Sequence, residues 1–96
     1  MNAFEDLDRS LIYNYIDSKK NECYSITVVF ATPNLIKFFF KPKYPLSDLF
    51  KTEVFYLYQS YFDKIIYIHS EKLNEDIYNS ESLLDCLIYF NKYFFD

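Results

Sequence analysis

The 96-residue chain contains no glycine, a single histidine, two cysteines and no excess of basic residues. A chain of this length ordinarily carries roughly six or seven glycines. Phosphate-binding loops, dinucleotide fingerprints and nucleophile elbows all need a backbone free to take positive φ or to approach a ligand closely. A chain without glycine holds none of them. The two cysteines, Cys23 and Cys86, form no CxxC pair and no Cys/His cluster, so no zinc site is readable and no cofactor is expected. They read as two buried free thiols, the alternative being a disulfide formed in an oxidising compartment. The net charge of −4 and pI near 4.9 argue against direct nucleic-acid binding, which calls for a basic surface. No apolar run approaches the roughly 20 residues of a membrane span. The opening MNAFEDLDRS lacks the basic-then-apolar order of a signal peptide, so a cytoplasmic location and no membrane contact are expected.

Aromatic residues are abundant instead, with eleven Phe and eleven Tyr in a chain that is 51% hydrophobic. That is ample material for one core in one domain, residues 1–96. Each tyrosine hydroxyl wants water or a partner, so many of the tyrosines must lie at the core edge or on the surface, where they serve interfaces well. The bias toward Phe, Tyr, Ile, Asn and Lys is that of an AT-rich coding sequence, as in bacterial islands and phages. Charge is unevenly placed. Lys37, Lys41, Lys43 and Lys51 face a single acid, Asp48, over residues 37–51, whereas Glu71, Glu75, Asp76, Glu81 and Asp85 face a single base, Lys72, over residues 71–85. Both runs could be ordinary solvated faces, but an acidic face also steers a basic partner.

Periodicity predicts an α+β domain in the order α-β-β-(α or β)-β-α, with a single antiparallel or mixed sheet of three to four strands flanked by N-terminal and C-terminal helices. Residues 3–18 read as a helix striped by Phe4, Leu7, Leu11, Ile12 and Tyr15, with Asn2 and Glu5 at capping-box spacing. Residues 22–31 and 35–41 read as a hairpin turning at Thr32-Pro33-Asn34. Residues 47–62 match both periods. Leu46, Leu49, Phe50, Val54, Leu57, Tyr58 and Tyr61 form a helical stripe starting at Ser47-Asp48, yet residues 54–58 (VFYLY) are strong strand formers. The helix is preferred here; a strand would pair with residues 65–69 across Asp63-Lys64. Residues 70–79 read as an acidic loop. A final helix from Ser80 carries Leu83, Leu84, Leu87, Ile88 and Phe94 as its apolar stripe.

Few side chains group into chemistry. Ser70, His69 and Glu71 have triad residue types, but neighbours in a strand point to opposite faces. Paired acids such as Asp6 with Asp8, or Glu75 with Asp76, rarely converge on one ion. Lys41 and Lys43 beside Phe38, Phe39, Phe40 and Tyr44 could stack and neutralise a single strand, although the phenylalanines fit hairpin packing better. The segment Phe55-Tyr56-Leu57-Tyr58 with Tyr61-Phe62, and likewise Tyr93-Phe94-Phe95, holds more apolar surface than one face can bury, so either a wide core or a protein contact must take it up.

A protein-binding module with no enzymatic activity is therefore the expected class. Its leading form is an immunity protein that occludes the basic cleft of a nuclease-type toxin, with Glu71, Glu75, Asp76, Glu81 and Asp85 supplying charge and Tyr67, Tyr78 and Tyr89 supplying contact. The alternatives are a phage inhibitor of host defence that mimics nucleic acid, as anti-CRISPR proteins do, a homo-oligomeric structural protein closing its aromatic patch between copies, and a small enzyme using His69 or a carboxylate pair. No metal or cofactor enters any of the binding readings.

Overall fold

A computed structural model describes residues 6–43 and 52–95. The expected cap residues Asn2 and Glu5, and the helix start at Ser47-Asp48 with Leu46, Leu49 and Phe50, lie outside the described residues, as does Lys51. Helix α1 (Asp6–Ser18) is followed by five strands, β1 (Tyr24–Thr32), β2 (Leu35–Pro42), β3 (Glu53–Gln59), β4 (Ile66–Ser70) and β5 (Glu75–Ser80), and then by helix α2 (Leu83–Phe94). The strands form one antiparallel meander in the order β1-β2-β3-β4-β5. The α+β architecture with terminal helices is as the sequence implies, but the sheet has five strands rather than three to four.

Two segments differ from the sequence reading. Residues 53–59 are strand β3, not helix, and pair with β4 through the loop containing Asp63-Lys64. The stripe Val54, Leu57, Tyr58 fits a helix, but Phe55 and Leu57 alternate with Tyr56 and Tyr58, and pairing on both sides decides in favour of the strand. Residues 75–79, expected as loop, and Ser80, expected to begin the last helix, are strand β5, held by its ladder to β4, which a register shift interrupts at Ile68/His69. The last helix starts slightly later than expected: Ser82 is the N-cap, and its hydroxyl accepts from the Asp85 N–H at 3.4 Å.

Both helices lie on one face of the sheet. Phe38, Phe40 and Phe55 from the sheet surround Phe90 of α2, with ring centroids 5.3, 4.9 and 5.4 Å away. Phe40 stacks on Phe94 at 4.1 Å. Ile12 of α1 is buried, Tyr13 packs against Phe30 at 5.8 Å, and Arg9 lies over the same ring at 4.7 Å. The wide-core reading thus holds for Phe94 and Phe95, whereas Tyr93 is exposed. It fails for Tyr61 and Phe62, which are exposed in the β3–β4 loop, Phe62 completely.

Both cysteines are free. Cys86 is buried, and burial pushes its thiol up to about 12; Cys23 is exposed, contrary to the expectation that both are buried, because it precedes β1 outside the helix-covered layer. Without glycine, the left-handed positions fall to Lys64 (φ 63°) and Asn74 (φ 53°), in the β3–β4 and β4–β5 connections.

Candidate binding face

Strand alternation sends every second side chain away from the helices, and no described element covers that side. Cross-strand partners share a face, so the register defines its rows. One row runs across the whole sheet as Val29, Lys37, Tyr56, His69 and Asp76. The next is Leu35, Tyr58, Tyr67 and Asn79. A third holds Thr27, Phe39 and Val54. From β2 to β4 these side chains are half-buried by one another, whereas Ile36, Phe38, Phe55, Leu57 and Ile68 beneath the helices are fully buried.

Contacts within the rows tie rings to charges. The Lys37 ammonium sits 5.7 Å from the Tyr56 ring centre, and Tyr56 lies 6.1 Å from the His69 ring. His69 Nδ1 is 2.9 Å from Asp76 Oδ1 and donates to it, since an ionised carboxylate only accepts. Tyr58 donates to the other oxygen of Asp76 at 2.7 Å and stacks on Tyr67 at 5.1 Å. Tyr56 donates to Glu71 at 3.0 Å, and Tyr67 to Asp63 at 3.3 Å. Each of the three open-face tyrosines is therefore held by a carboxylate.

The phenols respond accordingly. Desolvation, then the hydrogen bond to Asp76 and its charge, push Tyr58 up to about 12. Tyr56 is raised chiefly by its bond to Glu71, and Tyr67 by desolvation and then Asp63. Asp63 itself is held below the usual carboxylate range, mainly by the Ile65 N–H, with help from the Ser60 and Tyr67 hydroxyls. The result is a rigid aromatic platform edged by carboxylates. The lysines Lys37 and Lys41 are on β2 and the acids Glu75 and Asp76 on β5, three strand spacings or roughly 14 Å away.

The expected contact residues divide between two surfaces. Tyr67, Asp76 and, through Tyr56, Glu71 belong to the open face. Tyr78 and Tyr89 stack on each other at 4.6 Å on the helix side, between β5 and α2. Asp85 accepts from the Ser80 hydroxyl at 3.0 Å beside the start of α2, Glu81 is exposed in the β5–α2 connection, and Glu75 pairs with Ser70 on the helix side of the sheet edge. The acids thus do not form one patch. Sequence reasoning missed Tyr56, Tyr58, Lys37 and Asp63 as members of the face. The alternation of Phe55 and Leu57 with Tyr56 and Tyr58 was the available signal, hidden by the competing helical stripe.

Ser70 is buried on the helix side, where its hydroxyl accepts from the Leu73 N–H at 3.2 Å. It cannot meet His69, so a Ser70–His69–Glu71 triad is not assembled. Among the described residues no three His, Cys, Asp or Glu side chains converge as a metal site, and no helix is long and apolar enough to cross a membrane. No protein-family model, curated protein or solved structure matches the chain.

Proposed function

We propose that the protein is a non-enzymatic inhibitor that binds another protein, an immunity-type partner of a nuclease toxin acting in the cytoplasm, and that the open sheet face is its contact surface. The observation that carries this reading is the ring-and-carboxylate platform of Tyr56, Tyr58 and Tyr67 with Glu71, Asp76 and Asp63. Lysine or arginine side chains from a phosphate-binding cleft would find π-faces for their cations and carboxylates for their N–H groups. Because the tyrosines are already fixed by hydrogen bonds, little rotamer entropy is left to lose on binding. Acids around β5 would steer the encounter. The expected role of Glu75 and Asp85, on the helix side, and of Glu81, in the β5–α2 connection, is then long-range attraction rather than contact.

The test is titration against the toxin domain encoded beside this gene. One-to-one binding is expected, with Glu71→Lys, Glu75→Lys and Asp76→Lys together lowering the association rate at least about tenfold at low salt, within the range that electrostatic steering spans. An association rate unchanged by the triple reversal, or a neighbouring toxin left fully active by the protein, would overturn the proposal.

A further inference from the structure

The two edges of the sheet are built differently. Strand β5 is 6 residues long, carries Glu75 and Asp76, and has an irregular register against β4. Charge, shortness and a bulge are the usual means of blunting an edge. Strand β1 is neither short nor charged, and its one register shift lies at its far end, between Phe30 and Thr32. Its 9 residues, YSITVVFAT, include no charge and no proline, and its register against β2 is regular from Tyr24 to Phe30. Among the described residues no strand pairs with its outer side. Exposed apolar side chains flank that edge on both faces: Val29 (46% exposed) on the open side, and Tyr13 of α1 (56% exposed), packed on Phe30, on the helix side. A long, uncharged edge that is regular from Tyr24 to Phe30 is a template for another strand.

We propose that β1 pairs antiparallel with β1 of a second copy about a two-fold axis at Val28, joining two five-stranded sheets into one continuous sheet. Three observations select this occupant. First, the pattern is self-complementary. About Val28, Ile26 lies opposite Phe30 and Thr27 opposite Val29 of the other copy, so each helix-side residue meets a helix-side residue. Second, the charges fit only the antiparallel sense. Lys20 and Glu22, ahead of β1, fall beside the uncharged Thr32–Leu35 turn of the other copy, whereas parallel pairing would set each against its own like. Third, an uncharged strand gives a charged segment of another protein nothing to pair with, while a second β1 matches it residue for residue. The axis stands normal to the sheet, so Tyr13 of each copy lies over the seam on the helix side and both aromatic faces look the same way. This surface is separate from the platform of the preceding section, and the dimer presents two such platforms side by side.

Sedimentation velocity on the full chain tests the assignment. The wild type should run at twice the 11.7 kDa chain mass, and Thr27→Lys with Val29→Lys, which sets four ammonium groups across the seam, should run at the single-chain mass with an unchanged far-ultraviolet CD spectrum. Tyr58→Ser, on the open face, should leave the dimer intact. A wild type that is monomeric at the highest soluble concentration overturns the proposal. So does a dimer that survives the lysine pair, or one dissolved by Tyr58→Ser. If the lysine variant does not fold, hydrogen exchange of the wild type decides: β1 amides that gain protection with concentration support the pairing, and equal protection at all concentrations overturns it.

Discussion

A tyrosine in this protein is as much a polar residue as an apolar one. Tyr56, Tyr58 and Tyr67 each donate a hydrogen bond to a neighbouring carboxylate, and Tyr58 is pushed up to about 12 from the ordinary 10.0. A phenol whose pKa rises on folding stabilises the fold fully below the unfolded value, and that contribution is lost as pH climbs through the folded value. With the buried Cys86 thiol also raised, from 9.0 to about 12, the melting temperature should hold up to about pH 9 and fall between about pH 9 and 12. Tyr58→Phe removes one of the groups responsible, beside Tyr56, Tyr67 and Cys86, and should make that fall shallower in a pH series of thermal melts. A variant as steep as the wild type would show that desolvation and Asp76 do not hold the Tyr58 phenol protonated. None of this was visible in the sequence, where Tyr58 and Asp76 lie 18 positions apart and only the register of two hairpins joins them.

Among the elements, the β1–β2 hairpin was the most legible. Alternation over residues 24–30 and 36–40 and the Pro33-Asn34 turn agree with one another, and Asn34 then ties the turn to β3 by accepting from the Gln59 N–H at 3.0 Å. Strand β5 was the least legible, because EDIYNS is poor in strand formers; pairing with β4 and the stacking of Tyr78 on Tyr89 hold it in place. Connections without glycine leave a local cost. Lys64 at φ 63° takes a conformation that disfavours an L-residue by about 1–2 kcal/mol, whereas Asn74 at φ 53° is of a type that tolerates it. Allowing for glycine's greater loss of backbone freedom, Lys64→Gly should stabilise the protein by roughly 0.5–1 kcal/mol, read as a higher urea midpoint at constant slope. Asn74→Gly should gain less. The reverse ranking would mean that the Lys64 side chain, not its backbone, governs the loop.

At the scale of the whole molecule, the sheet separates two uses of the same residue class. Beneath the helices, rings are locked into the core: Phe90 touches Phe38, Phe40 and Phe55, and Phe90→Ala should cost about 3–5 kcal/mol in chemical denaturation. Against a total of roughly 5–15 kcal/mol for a domain, that is a large share of the stability. A loss below about 1 kcal/mol would mean that the core collapses around the gap. On the other side, rings are held by carboxylates at half-exposure and remain free to meet a partner.

The sequence alone determined that this is one α+β layer with helices at its ends. Hydrophobic periodicity is a local property, and the absence of glycine rules out whole classes of site without reference to any fold. Whether residues 53–59 are strand, and which tyrosines share a face, was decided only by tertiary structure. Side-chain period 2 assigns a face only once the neighbouring strands set the register, and Lys37, Tyr56, His69 and Asp76 come from four strands whose order no local pattern records.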